Sequence, residues 1–465
     1  MTDGNPSTII YPKPSAELSG SWLHMLRAFG PGAIIATVTV GTGETIFAPR
    51  AGATFGYALF WVIVLAVFSK AVLVYTGARH LVLTGEHPLQ AWARFPGPRR
   101  WVPMLMGLLV VIAFPLWLAT LADAIGSLCI WITGIGSQTS GRQMWGSAIL
   151  VAAMLLTLVQ TYRVIERVSI IILGLKIVFI LIAVLWVNPD WLAAAWSAIV
   201  PRIPEYQPWI KAAYPDVAAR TVWLEIAVLL GAIGGGLQDY IGYVGMMREK
   251  HWGASGIDDG GADKLPLDKE SVALGRRWLR VPQFDVVISF GSVLIITGCF
   301  MLLGATVLYP MQLIPNNADL YSKQSHFLAL IHPQLVHIYK AGIFFAIFGV
   351  IYGAFEVYSW SAYEPLRAIW PNRVWSVTRV RVFVILYTGI SALLLIWTGL
   401  KAITLATIVS PFSGVFGCGL WCLAMVWVDR KQMPGAFRMN WLLLAAAFLA
   451  GILMTSIGLY VMLLG

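Results

Sequence analysis

Glu44 and Asp239 are acids inside runs that are otherwise apolar, and both stand beside glycines. The first run ends Gly41-Thr42-Gly43-Glu44, and the second reads Gly231-Ala232-Ile233-Gly234-Gly235-Gly236-Leu237-Gln238-Asp239. A carboxylate at the centre of a bilayer span costs about 2.5–3.5 kcal/mol on insertion scales unless it faces a cavity or a partner. Each glycine weakens a helix by about 1 kcal/mol relative to alanine. Three in succession, followed by an amide and an acid, do not hold a regular helix in lipid. Unwound backbone at membrane depth is tolerated only where it is buried in protein or lines a cavity. The chemistry this permits is binding, by backbone N–H and C=O groups together with a carboxylate. The candidate substrate-binding residues are therefore Gly41, Thr42, Gly43, Glu44, Gly234, Gly235, Gly236, Gln238 and Asp239. Close helix packing through small residues explains the glycines but not the acids. Glu44 also admits a structural role, paired with Arg50 or a helix end. Gln238 and Asp239 are adjacent, so on a regular helix they point about 100° apart, one to a pocket and the other to the scaffold.

Other ionisable groups lie in apolar runs. Asp123, Lys176 and Glu356 are candidates for a coupling or proton pathway, each with a buried ion pair as the plainer alternative. Lys70 reads as a stem in the bundle whose head reaches an interface. Cys129, Cys299, Cys418 and Cys422 all fall inside apolar runs and read as small hydrophobes. They form no disulfide or zinc pattern.

These residues must be positioned by membrane helices. Apolar residues make up 58% of the 465-residue chain, charged residues only 12%, and the mean hydropathy is +0.77. Such a chain cannot cover its surface with polar groups in water. The runs are long and continuous, which excludes a β-barrel. Spans are predicted near 30–54, 57–79, 101–134, 145–162, 165–187, 221–247, 283–309, 333–362, 378–399, 402–428 and 440–463, eleven in all. With loops assigned alternately to two sides, 22 Lys and Arg fall on the side of the N-terminus and seven on the other. That bias places the N-terminus in the cytoplasm and the C-terminus outside, in a cell (inner or plasma) membrane. The formal net charge of +10 then faces anionic lipid, not nucleic acid. Residues 1–25 carry no secretory signal pattern. The loop 248–280, with seven basic and six acidic residues, reads as a solvated connector.

The two glycine breaks stand in the first and sixth spans, five apart. That is the arrangement of an all-α, 5+5 inverted-repeat transporter with helices 1 and 6 broken and substrate held near the bilayer midplane. The expected organisation is a cytoplasmic segment at 1–27, a first repeat at 28–187 and an extracellular loop at 188–220. A second repeat at 221–428 and an extra helix at 429–465 follow.

The stretch Gly41 to Tyr57 (GTGETIFAPRAGATFGY), followed by LFWVI from Leu59, resembles the first two helices of the Nramp metal transporters. Gly77 to Gly85 (GARHLVLTG), Ala122 to Ser127 (ADAIGS), Asn188 to Trp191 (NPDW) and Val200-Pro201 are similar to further segments of that family. The resemblance spans roughly residues 28–430 and implies the LeuT-type fold with eleven helices and the N-terminus inside. The motifs that hold metal in that family are absent. Gly41-Thr42-Gly43-Glu44 stands where the family has Asp-Pro-Gly-Asn, and Gly235-Gly236-Leu237 where it has Met-Pro-His. The metal-ligating Asp, Asn and Met thus correspond to Gly41, Glu44 and Gly235. A second family histidine falls at Gly242, and two third-helix acids at Thr120 and Asp123. The resemblance also likens Lys176 to the helix 5 lysine that replaces a coupling sodium in some proton-coupled amino-acid transporters.

A thioether selects softer transition metals against Mg²⁺ and Ca²⁺. Its loss predicts no metal site of the Mn²⁺ or Fe²⁺ type. Glycine in place of larger residues predicts an enlarged, oxygen-lined pocket, suited to a small polar organic solute or to a hard hydrated cation such as Mg²⁺. The organic solute is the leading expectation. On that view, side chains added at Gly235 or Gly236 block binding without unfolding the protein. A secondary transporter working by alternating access, without cofactor and as a monomer, is the expected class. No Walker loop supports an ATP-driven pump. No carbonyl filter supports a channel. No catalytic pair in the spans supports an enzyme.

Overall fold

The computed structural model describes residues 8–14, 41, 43–159, 171, 174, 177–178, 180–257, 260–317 and 319–464. Thr42 and Lys176 lie outside the described residues. Among the described residues the secondary structure is helical, with no strands. Nine helices there are long and apolar enough to cross a membrane. They correspond to the second to fourth and the sixth to eleventh expected spans, running from Phe60–Thr84 to Trp441–Leu464. The expected first and fifth spans fall largely on residues outside the description. The fifth ends in a bent pair, Ile180–Val187 and Trp191–Ile199, turned by 114°. Asn188 has φ +49° at that turn, and the Asp190 side chain caps the second helix by accepting from the Ala193 N–H at 2.9 Å.

The sixth, seventh and tenth spans are mostly buried, while the fourth, ninth and last expose most of their surface. The exposed residues of the outer spans are apolar, among them Leu155, Phe383, Leu394 and Leu449. This is the pattern of helices that face lipid. The buried spans are the irregular ones. The sixth is two helices, Val222–Ala232 and Leu237–Met246, separated by Ile233 to Gly236. Gly234 and Gly235 adopt φ +72° and +91°, a left-handed backbone that L side chains rarely accept. The tenth is interrupted from Ser410 to Gly417 by a π-helical stretch carrying Pro411 and Gly414. The described part of the first span opens with a π turn at Gly43–Phe47 before the helix Ala48–Phe55. The three irregular stretches meet. A Cβ on Gly43 would collide with the Ala232 carbonyl oxygen, and one on Gly414 with the Gly231 carbonyl oxygen.

The loop 248–280 is packed, which corrects the expectation of a solvated connector. Trp252, Ala254, Ser255 and Leu265 are buried. Its backbone bonds to the end of the second span, from Ala254 N–H to the Val82 carbonyl at 2.8 Å and from Gly261 N–H to the Thr84 carbonyl at 2.9 Å. The N-terminal segment covers it in turn. Ile9 N–H reaches the Lys264 carbonyl at 2.8 Å, the Tyr11 hydroxyl reaches the Leu83 carbonyl at 2.9 Å, and Trp278 Nε1 donates to the Pro12 carbonyl at 2.7 Å. The N-terminal segment therefore lies on the face that carries this basic loop.

Candidate functional site

At the break in the sixth span, four residues lose regular helical hydrogen bonding, and side chains from distant spans satisfy them. Lys70, on the second span, is fully buried. Its ammonium donates to the carbonyl oxygens of Gly231 at 2.9 Å, Ile233 at 2.5 Å and Gly235 at 2.7 Å. An ammonium has three donors, so all of them are used. They meet the exposed carbonyl end of the helix Val222–Ala232, where the helix dipole favours a cation. The expected reading of Lys70, a stem whose head snorkels to an interface, is overturned. The Tyr240 hydroxyl donates to the Gly234 carbonyl at 2.5 Å.

The carboxylates take the N–H groups. Glu44 accepts from Gly234 N–H at 2.9 Å and from Gly41 N–H at 3.0 Å. Asp239 accepts from Gly236 N–H at 2.7 Å and from the Gln238 side chain at 2.7 Å. Both broken spans thus use one device, an acid three residues after a glycine whose N–H it binds. This is the reciprocal half of a capping box. Arg50 does not pair with Glu44; it pairs with Glu225 at 2.5 Å.

A cavity of about 30 Å³ lies where the breaks meet. Its polar lining comes from Gly41, Gly235, Gln238, Asp239 and Tyr358, and its apolar walls include Trp117, Leu121 and Val350. Gln238 and Asp239 both border it, so the expected split between pocket and scaffold does not hold. The backbone turn at Gly236 brings them to one side, with Gln238 held by Ser413 Oγ at 2.5 Å from the tenth span. Glu44 is absent from the lining, because both its oxygens are engaged by backbone. Asp239 differs: its Oδ1 is buried and has no hydrogen-bond partner among the described residues. The Lys70 stem, the Tyr240 hydroxyl and the Phe290 ring all lie within 4 Å of where a Gly234 side chain would begin, at ordinary van der Waals distance.

The glycines are consequently poor probes of the pocket. A Cβ at Gly235 is strained by its φ of +91° whatever the space around it. Gly235→Ala and Gly235→Val are expected to lower stability as well as binding.

The remaining candidates are paired away from the cavity. Asp123 binds Arg142 at 2.9 Å and caps the helix Ala402–Val409 by accepting from Ala402 N–H at 2.8 Å. Glu356 pairs with Arg381 at 2.9 Å. Asp123→Ala leaves a buried arginine and a helix N–H unpartnered, and should cost about 3–5 kcal/mol of stability. The melting temperature of the purified variant in detergent tests this; an unchanged value would return Asp123 to a purely functional role. Two further ion pairs are buried, Arg50 with Glu225 and Arg248 with Glu364 at 2.8 Å.

Lys70, Tyr240, Tyr358 and Ser413 were not among the residues expected from the sequence. Ser413 had a local signal, since Ser410-Pro411-Phe412-Ser413-Gly414 interrupts an apolar run. Lys70 had none beyond its depth.

The chain matches, over residues 32–464, the family described as natural resistance-associated macrophage protein-like. It belongs to the Nramp family. A divalent metal cation transporter MntH from Granulibacter bethesdensis is 27% identical over 197 residues, 42% of this chain and 42% of that protein. An uncharacterized protein of Pasteurella multocida is 24% identical over 218 residues, 46% of this chain and 47% of that one. The alignments therefore span under half of each curated relative. The manganese transporter of Eremococcus coleocola superimposes with a TM-score of 0.67 at 15% identity, covering 99% of this chain and 90% of that one. MhsT in complex with L-phenylalanine gives 0.56 at 16% identity, covering 93% and 97%. Mhp1 in a closed conformation gives 0.52 at 16% identity, covering 99% and 93%. These likenesses show the LeuT-type fold. Within this Nramp framework, Gly41 and Gly235 border the cavity, while Glu44 bonds to the backbone and is not part of its lining. Gly242, where a second Nramp histidine was placed, is pressed against the eighth span. An added Cβ there would strike the Val357 carbonyl oxygen, so no imidazole fits. Among the described residues, no group of three or more His, Cys, Asp or Glu is arranged to hold a metal ion.

Proposed function

We propose that this Nramp-family protein is a secondary active transporter that carries a hard, oxygen-liganded cation such as Mg²⁺ by alternating access. One observation carries the reading: the unpartnered Asp239 Oδ1 borders a cavity whose other polar groups are amide, hydroxyl and backbone. Glu44 and Lys70 each serve the broken backbone and offset one another in charge, which leaves Asp239 as the uncompensated charge at the cavity. Mg²⁺ retains several waters and needs only one or two carboxylates. One water requires roughly 10–15 Å³ of such space. A cavity of about 30 Å³ therefore has room for a single ion or about two waters. The names of the relatives, a divalent metal cation transporter and a manganese transporter, support a metal ion over the organic solute expected first. Among the described residues no thiol or thioether lines the cavity, which supports a hard cation over Mn²⁺, Fe²⁺ or Cd²⁺.

In this reading the buried pairs Arg50–Glu225 and Arg248–Glu364 act as gates. The basic loops face the cytoplasm of a cell membrane, with the N-terminus inside. Asp123 and Glu356 then act as scaffold or coupling groups outside the substrate shell, and Lys176 is kept as a candidate coupling group. The test is flux into liposomes holding purified protein. Saturable, gradient-driven Mg²⁺ uptake is expected. Mn²⁺ is expected to show no micromolar binding by calorimetry. Micromolar Mn²⁺ binding that disappears in Asp239→Asn would overturn the choice of a hard cation. Saturable uptake of an amino acid without metal flux would overturn the choice of a metal.

A further inference from the structure

Lys70 is a charged group that the transport reading leaves without a task in carrying the substrate. Its surroundings are those of a bound monovalent cation. Three carbonyl oxygens, from Gly231, Ile233 and Gly235, converge on Nζ at 2.5–2.9 Å. All three belong to the sixth span, Gly231 in the last turn of the helix Val222–Ala232 and Ile233 and Gly235 in the unwound stretch after it, and none comes from the lysine's own helix. The site is fully buried, with no exposed surface on the lysine. Among the described residues no carboxylate pairs directly with the ammonium, and Glu44 is held by the N–H groups of Gly41 and Gly234. Glu44, Asp239 and the Cys418 thiol are the titratable groups that act on it from around the site.

A ring of main-chain carbonyls at a helix break is a ligand set for a hard monovalent ion. Unwound carbonyls and half-helix C-termini do this in transporters of broken-helix design. In this chain the ion is tethered. We propose that the carbonyl cluster at Gly231, Ile233 and Gly235 is a monovalent-cation site permanently filled by the chain's own Lys70 ammonium. The protein thereby keeps the sixth span's break assembled without a free ion, and the break forms equally well in any background salt. The inference rests on the site as read above but not on the identity of the substrate.

The experiment compares two variants of the purified, full-length protein in detergent, read by melting temperature without substrate. Lys70→Ala removes the ammonium and opens the space. Lys70→Met removes the charge but keeps the stem, so the space stays filled. In choline chloride, whose cation is too large to enter, both should melt several degrees below wild type. Replacing choline by ammonium, propylammonium or sodium at the same ionic strength should restore a large part of the loss in Lys70→Ala. The same salts should leave Lys70→Met and wild type unchanged. If Lys70→Ala can be extracted intact only when one of these cations is present throughout, that also supports the site. A variant equally unstable, or equally unobtainable, in every salt would overturn the proposal, since lysine would then be needed for packing alone. So would a Lys70→Ala protein that melts like wild type in choline. Recovery in Lys70→Met equal to that in Lys70→Ala would show a general salt effect and would also overturn it. The transport reading fails on a different result, namely retained cation flux in Asp239→Asn, so the two failures are distinguishable.

Discussion

Asp239→Asn should abolish cation transport while leaving the protein folded. The substitution keeps the shape of the side chain, and its amide oxygen can still accept from Gly236 N–H, the bond that Asp239 makes at 2.7 Å. What disappears is the charge at Oδ1, the buried oxygen left without a partner. Losing an interaction of about 3 kcal/mol to a charged group corresponds to about 100-fold in affinity. Transport at a fixed low concentration should fall by roughly that factor. Stability should hold or rise, because a buried oxygen without a partner costs about 1–3 kcal/mol. Flux into liposomes and melting temperature, measured on the same preparation, test both halves. A variant that transports normally would remove Asp239 from the substrate shell. One that melts far below wild type would make its role structural.

Gly43→Ala should disable the protein by a different route. The first and sixth spans approach so closely at Gly43 that a single methyl group meets the backbone of Ala232 and Ile233. Backbone cannot swing aside as the end of a side chain can, so the two breaks must separate. Overpacking of this kind costs about 1–3 kcal/mol. It would also displace Glu44, whose bond to Gly234 N–H joins the two spans. Binding and stability should therefore fall together. Gly291→Ala is the control. It lies within the helix Arg280–Leu303, and an added Cβ there meets nothing within 4 Å. That change should be neutral or stabilising by up to about 1 kcal/mol. Equal melting temperatures for the two variants would show that the spans are not in contact at Gly43.

The membrane class, the breaks in the first and sixth spans and the family were legible from residue type and order alone. A bilayer imposes a strict local rule, continuous apolar runs with internally satisfied backbone, and departures from it stand out. Glu44 and Asp239 stand out for that reason. The loss of the family's soft ligands was also legible, because a ligand set is a matter of residue identity.

The tertiary structure decided which polar group meets the cavity. Glu44 and Asp239 look alike in sequence, yet Glu44 has both oxygens committed to backbone and Asp239 keeps one free. That difference depends on Gly234, 190 residues from Glu44, and no local pattern carries it. The role of Lys70 depends likewise on carbonyls 161–165 residues away. Residue identity determined what chemistry was available; the convergence of spans distant in sequence determined which atoms were left to perform it.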